Sequence, residues 1–312
     1  KNYNYEVFGS DMNKKKLPIK YFEKIFKVPR GNKKNYIKIL INHLRKNKIK
    51  FILPGSDEEA ISLSNSKVIL NKYKIIPLIS GKNELNLISN KYNTYKYLKS
   101  KKINVPNHYI IKNEKEFDLV LKLLDYPNKN IVIKPSQGRG GRDVIYLKGK
   151  RDIPLWLMKG QRVKVLRKTN SVKKILKKKN DFIVMPLLNT PCYDVDVLKI
   201  FGHKKKYECV LRKRLNPNGL PYKGYEIIKY KKLENYVCSI YKELNLKSLH
   251  DFDIMTDQNG SPVLLEVNPR PSGSLVASLM AGIPVIDLAI SSKLKMHIYY
   301  EQFDKKKLYI NF

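Results

Sequence analysis

The sequence predicts an α/β unit followed by a larger α+β unit, and three observations carry that expectation. The chain has 312 residues, 42% hydrophobic and 10% aromatic, enough to bury a core and, at about 150 residues per domain, to form two domains. Its first third alternates short apolar strands with helical stretches, the pattern of βαβ units and a parallel sheet. Its last third sets two β-rich runs around Asn259-Gly260, the strongest short signal for a hairpin.

From the N-terminus, a strand runs from Tyr5 (YEVFGSD), a helix covers Tyr36 to Asn47, and the apolar strand KFILPGSD leads to a helix opening at Ser56 to Glu59. Asp57, Glu58 and Glu59 sit in that helix's first turn, where the macrodipole favours acids. Asn90 to Lys101 is another helix, ended before Pro106, and the domain boundary belongs just ahead of it, between residues 88 and 89. The strand YIIK, a helix from Glu114 to Leu124, the strand IVIKPS, a glycine-rich loop, the strand DVIYL, a basic helix around Lys173 and the strand DFIVMPLL make a small α+β unit over about 110–184. Beyond it come YDVDVLKIFG, KYECVLRKR, a helix from Leu233 to Leu244, the hairpin and an apolar helix from Ser274. Asn216 to Gly224 is rich in Pro, Gly and Asn and reads as a mobile loop. No repeat is visible.

Sixty-three Lys and Arg against 27 Asp and Glu give a formal charge of +36, a field that attracts polyanions. Only ten of the 63 are Arg, and the lysines are spread along the chain. The densest run, Lys173 to Lys179, is short enough to be one solvated helix face, so a nucleic-acid partner is disfavoured. Cys192, Cys209 and Cys238 are odd in number and show no CxxC spacing, which indicates neither a disulfide framework nor a zinc site and fits a reducing cytoplasm. The longest apolar stretch, Leu275 to Ile290, is broken by Pro284 and Asp287, too short for a membrane span. No signal peptide opens the chain, and its first residue is Lys1, as expected of a chain that begins inside a longer reading frame.

With Asn259 and Gly260 as a two-residue turn, Asp253 faces Glu266, about 5 Å apart at Cβ, where like charges destabilise a sheet unless something neutralises them. Glu266 and Asn268 share a face by the period of two. Two carboxylates and an amide are all oxygen donors and suit Mg²⁺ or Mn²⁺ rather than zinc; the plain alternative is a solvated hairpin. Arg270 and the PSGS turn follow, opening onto an apolar helix, so an anion seat lies next to the metal seat. In IVIKPSQGRGGRDV a strand ends in Lys134 and enters a loop with three glycines, as a phosphate-covering flap requires; a glycine-rich hairpin without a ligand is the alternative.

Taken together and in this order, these residues resemble the ATP-grasp superfamily, and within it the branch similar to the large subunit of carbamoyl-phosphate synthase. The resemblance runs from FILPGSDEE to Ile290 and is most specific at LLEVNPRPSG, a strand ending in Glu-x-Asn-x-Arg. It implies a Rossmann-like pre-ATP-grasp domain over 1–88, here expected to lack its first βα unit because no glycine-rich strand and turn precedes YEVFGSD. A two-subdomain ATP-grasp domain would follow over 89–312, with a small lid over about 110–184 and a metal-binding subdomain over about 185–312. By matching position, Lys91 and Lys134 would hold the nucleotide. Ser136 to Arg142, with Gly138, Arg139, Gly140 and Gly141, would close over the triphosphate, and the backbone of Met185, Pro186, Leu187 and Leu188 would read adenine. Asp253, Glu266 and Asn268 would ligate two ions of Mg²⁺ or Mn²⁺, and Arg270 would face the transferred phosphate. Cys192 stands where the family carries a ribose-binding glutamate, with Asp194 as the substitute.

The activity implied is that of an ATP-dependent ligase joining a small-molecule carboxylate, activated as an acyl phosphate, to an amine or other nucleophile. Arg212 and Arg214, on one face of a basic strand, are candidates for the substrate carboxylate; ordinary surface charge is the other reading. A homodimer is compatible with the sequence. The rival readings are an ATP- or nucleic-acid-binding basic protein without ligase activity, and a carboxylase or kinase-like relative, disfavoured because no biotin-carrier lysine motif is present.

Overall fold

The computed structural model describes residues 5–138, 143–152, 164–176, 181–203, 206–215, 224–300 and 309–310. The N-terminal segment starts with two parallel strands, β1 (Phe8–Asp11) and β2 (Lys24–Lys27). Helix α1 (Tyr36–Lys46) buries Tyr36, Leu40, Ile41 and Leu44, one stripe at helical spacing, and ends on His43, Arg45 and Lys46 at its negative pole. Then come β3 (Phe51–Ile52), α2 (Asp57–Asn65), α3 (Lys67–Lys72), β4 (Ile76–Pro77) and α4 (Lys82–Ile88), with β3 parallel to β4. Parallel pairing is thus present, as two separate two-stranded pieces. Two short 3-10 turns connect β1 to β2 where a βαβ unit would place a helix.

Helix α2 shows how a local sequence sets a boundary. Ser56 Oγ accepts from Glu59 N at 3.3 Å, while Glu59 Oε2 accepts from Gly55 N at 2.9 Å, a reciprocal cap that satisfies two otherwise orphaned donors. Asn90 caps α5 (Lys91–Ser100) through the Asn93 amide at 3.0 Å, so Lys91 occupies the helix's first position.

The middle segment, β5 (Tyr109–Ile111), α6 (Glu114–Leu123), β6 (Ile131–Pro135), β7 (Ile145–Leu147), β8 (Lys164–Leu166), α7 (Thr169–Leu176) and β9 (Phe182–Pro186), forms a five-stranded sheet in the order β5-β9-β6-β7-β8. Phe117, Val120 and Leu121 of α6 and Val172 of α7 pack on one of its faces. Lys173 in the basic helix pairs with Asp118 at 2.5 Å.

The last segment builds a six-stranded sheet, β14-β13-β10-β11-β12-β15. Its members are β10 (Asn189–Lys199), β11 (Tyr207–Arg214), β12 (Tyr225–Ile227), β13 (His250–Thr256), β14 (Pro262–Asn268) and β15 (Tyr309–Ile310), with α8 (Lys231–Glu243), α9 (Leu275–Met280) and α10 (Val285–Leu294) among them. Gly282 and Pro284 separate α9 from α10, and among the described residues no helix is long and apolar enough to cross a membrane. One apolar cluster joins α1, α2 and α5 to β10, β11, β13, β14 and α8, so the N-terminal segment shares its core with the larger sheet. A second cluster, Val132 and Met185 against Leu188, Cys192, Met255 and Val263, links the two large sheets.

Candidate active site

The face of the larger sheet that carries charge is assembled by period-two alternation on four neighbouring strands. Asp194 and Asp196 on β10 stand opposite Asp253 and Asp251 on β13; Asp253 and Asp251 in turn stand opposite Glu266 and Asn268 on β14. On the other flank, Asp194 faces Arg212 on β11. Asp253 and Glu266 are therefore cross-strand neighbours, as expected, yet the turn that gets them there differs. The loop runs from Asp257 to Ser261, held by Asp257 Oδ1 accepting from the Asn259 and Ser261 amides, each at 2.9 Å. Only Gly260 there has positive φ, +72°. A bulge between Asp253 and Ile254 shifts the register back.

Lys134, at the end of β6, crosses to this sheet. Its Nζ donates to Tyr95 Oη at 2.9 Å and to the Leu265 carbonyl at 3.3 Å, while Tyr95 itself donates to the Leu265 carbonyl. Burial lowers Lys134 to about 7, with Lys91 as the second cause and Glu266 and Asp253 opposing. Lys91 Nζ lies 2.9 Å from Glu266 Oε2 and 2.6 Å from the Gly138 carbonyl. Its backbone N donates to the Ser136 carbonyl at 2.8 Å. Lys134 thus reaches the acidic strand from the smaller sheet, and Lys91 reaches it from the first turn of α5. Ser136 is buried. Gly138 has φ +127°, and among the described residues nothing lies within 4 Å of where a side chain would start. Arg139, Gly140 and Gly141 lie outside the described residues, as do residues 216–223 of the expected mobile loop.

Burial pushes Asp253 well above the usual carboxylate range, with Arg214 opposing and Asp194, Asp251 and Glu266 adding to the rise. Asp251 is raised by burial and by Asp194 and Asp196 to about 8. Against their own burial, Asp194 is held at about 2 chiefly by Arg214, and Glu266 is held low chiefly by Lys91. Burial thus disfavours the charged forms of Asp253 and Asp251, and an oxygen-ligated divalent ion at this face would favour them. Asp253, Glu266 and Asn268 fit such an ion by donor type. Among the described residues, no group of three or more His, Cys, Asp or Glu is arranged to hold a metal, so the trio relies on the Asn268 amide. Asn268 Nδ2 donates to Asp251 Oδ2 at 3.0 Å.

Arg214 bridges Asp194 and Asp253, with Nη2 2.7 Å from Asp253 Oδ1 and Nε 2.8 Å from Asp194 Oδ1. Tyr225 Oη donates to Asp194 Oδ2 at 2.5 Å. Both Asp194 oxygens thus accept from neighbouring side chains, and the residue is buried. Arg212 is fully buried, 0% exposed, which removes it from the surface charge: it meets Asp196 at 3.0 Å and Asp251 at 3.5 Å, and it donates to Ser274 O and Oγ at 2.7 and 2.9 Å. It is a strut beneath the PSGS turn, inaccessible to a substrate carboxylate. Arg270 Nε reaches Asp57 Oδ1 at 3.1 Å. Met185 and Leu188 lie in the apolar cluster between the sheets with Cys192, whose thiol burial raises to about 11. The Leu187 amide is spent on Asn130 O at 2.8 Å.

Residues 178–310 match the model of a family described as ATP-grasp in the biosynthetic pathway with Ter operon. Among solved structures, the chain is similar to N5-carboxyaminoimidazole synthetase from Staphylococcus aureus in complex with ADP, at 16% identity and a TM-score of 0.68, over 96% of this chain and 74% of that one. Biotin carboxylase from Campylobacter jejuni aligns at 15% identity and a TM-score of 0.69, over 95% and 67%. The fold is that of the ATP-grasp superfamily. An L-amino acid ligase from Bacillus licheniformis also aligns, at 13% identity and a TM-score of 0.62, over 87% of this chain. The chain spans 63% of that ligase's length. No curated protein sequence matches the chain.

Lys91, Lys134 and Glu266 stand together where the two large sheets meet. Sequence reasoning missed Tyr95, Asp57, Asp196 and Asp251. The last two were visible as the alternations YDVD and HDFD, which put both acids of each strand on one face. Tyr95 and Asp57 carry no local signal, because their partners are 170 and 213 residues away.

Proposed function

We propose that this chain is an ATP-dependent ligase that activates a small-molecule carboxylate as an acyl phosphate and transfers it to an amine or other nucleophile. The observation that carries the reading is the convergence of Lys134, from the smaller sheet, and Lys91, from the start of α5, on Leu265 and Glu266 of the larger sheet. A triphosphate between the sheets meets both ammonium groups there, and the apolar cluster of Met185, Leu188 and Met255 offers a surface for a base. Bound Mg²⁺ or Mn²⁺, two ions on Asp253, Glu266 and Asn268, would neutralise phosphate charge. Lys134 shields the phosphates from water and fixes their position, and Tyr95 holds Lys134 in place. Arg270 offers a planar cation for an anionic oxygen, its direction set by Asp57. Arg214 is the remaining candidate for the substrate carboxylate. Glu266-x-Asn268-x-Arg270 supports the carbamoyl-phosphate-synthase-like branch, and the thiol content supports a cytoplasmic site of action.

The test is phosphate release from ATP over a panel of amino acids and small carboxylates, with and without amines. Acid-dependent release that vanishes in Glu266→Gln, with the fold retained by circular dichroism, is expected. Retained turnover in that variant, or no release with any pair, rejects the assignment.

A further inference from the structure

We propose that Cys209 and Cys238 form a modification site, a dithiol that a small-molecule disulfide converts into an intramolecular disulfide joining β11 to α8. The two sulfurs lie 3.1 Å apart, closer than packed carbon atoms at about 3.5–4.0 Å and about 1 Å from bonding distance. They come from residues 29 apart in sequence, brought together because α8 packs Leu233, Val237 and Ile240 on the face of β11 that carries Cys209 and Leu211. By alternation that face is opposite the one bearing Arg212 and Arg214, so the pair is separate from the candidate active site and stands apart from the ligase reading.

The two thiols differ in access. Cys209 is 7% exposed, whereas Cys238 is half-buried, so the sulfur a reagent reaches is Cys238 and the one that resolves is Cys209. The Cys238 thiolate attacks one sulfur of the small-molecule disulfide, whose S–S bond breaks and releases one thiolate, protonated from solvent. The Cys209 thiolate then attacks Cys238 in the mixed disulfide and releases the second. Two protein thiols lose two protons and two electrons, and one disulfide is reduced to two thiols. Cys192 is an internal control, since it is 6% exposed in the other apolar cluster and its burial-raised thiol is poor in thiolate.

The experiment treats the folded full chain with oxidised glutathione, quenches with acid, alkylates in denaturant and maps peptides by mass. The expected result is one alkylated cysteine, Cys192, a cross-linked Cys209 to Cys238 peptide, and no retained glutathione. In Cys209→Ser the resolving step is lost and glutathione stays on Cys238. Three alkylated cysteines in the untreated-like pattern, glutathione retained on the unsubstituted chain, or a cross-link through Cys192 would each overturn the proposal.

Discussion

At Lys134 the ammonium and amine forms are balanced near neutral pH, because burial and the neighbouring Lys91 bring it to about 7. A triphosphate favours the ammonium form, so above pH 7 nucleotide binding takes up a proton and affinity falls as pH rises; below 7 the lysine is already charged and the dependence levels off. Calorimetric ATP titrations from about pH 6 to about pH 9 are expected to weaken on the alkaline side, and Lys134→Arg, whose guanidinium stays charged, to flatten the profile. Equal slopes in the two proteins would count against this account. His250 shows the same physics in stability. It is buried with Nε2 2.7 Å from Ser80 Oγ and Nδ1 2.9 Å from the Asn268 carbonyl, and burial lowers it to about 4. Between its ordinary pKa of about 6.5 and 4 the unfolded chain binds the extra proton, so stability is lost as pH falls through that window and not further below it, by about 3 kcal/mol in all. His250→Gln should be less stable at neutral pH yet lose less on acidification, as urea unfolding at about pH 7 and about pH 5 would show.

The β11 strand places one arginine under the PSGS turn and the next between two aspartates, and the first of these roles is structural. Removing Arg212 leaves Asp196 and Asp251 buried without their cation, a change that typically costs about 3–5 kcal/mol. Denaturant unfolding of Arg212→Met is expected to show a loss of that size; a loss below about 1 kcal/mol would mean that the acids are neutralised in some other way. Elements differ in how far they could be read in advance. Long strands such as β10 and β13, and α1 with its apolar stripe, carry their period over enough residues to be recognised. The strands β2, β3 and β4 are two to four residues long and hold no period at all. Of these β2 and β4 went unread, and β3 was found only through its apolar run. The hairpin was legible in its pairing and not in its turn: Asn259-Gly260 suggests two residues with positive φ, but Asp257 offers its carboxylate to two amides and a longer loop forms. A compensating bulge then returns Asp253 to Glu266, so the acidic pair was found through a turn that the chain does not make. Arg212 and Arg214 were read correctly as sharing a face. Their pairing with Ser274 and with the acids of β10 and β13 joins residues far apart in sequence, which no local pattern announces.

Across the molecule, the Asp57 to Arg270 pair connects the first turn of α2 in the N-terminal segment with the turn that follows β14. Both side chains are about one-fifth to one-quarter exposed, 24% and 20%, and an ion pair so placed contributes at most about 1 kcal/mol to stability. Its weight falls on geometry instead: among the described residues the Arg270 guanidinium contacts Asp57 and, through Nη1, the neighbouring Pro271 carbonyl at 2.8 Å. If Arg270 faces an anionic oxygen during turnover, a displacement of about 1 Å is worth up to about a hundredfold in rate. Asp57→Asn is therefore expected to melt within a few degrees of the unsubstituted chain and to keep its KM for ATP, since Lys91, Lys134 and the apolar cluster between the sheets are untouched. Its kcat for acid-dependent phosphate release should fall about tenfold or more. An unchanged kcat would show that the N-terminal segment does not orient Arg270, and a raised KM with unchanged kcat would move Asp57 from positioning to ground-state binding.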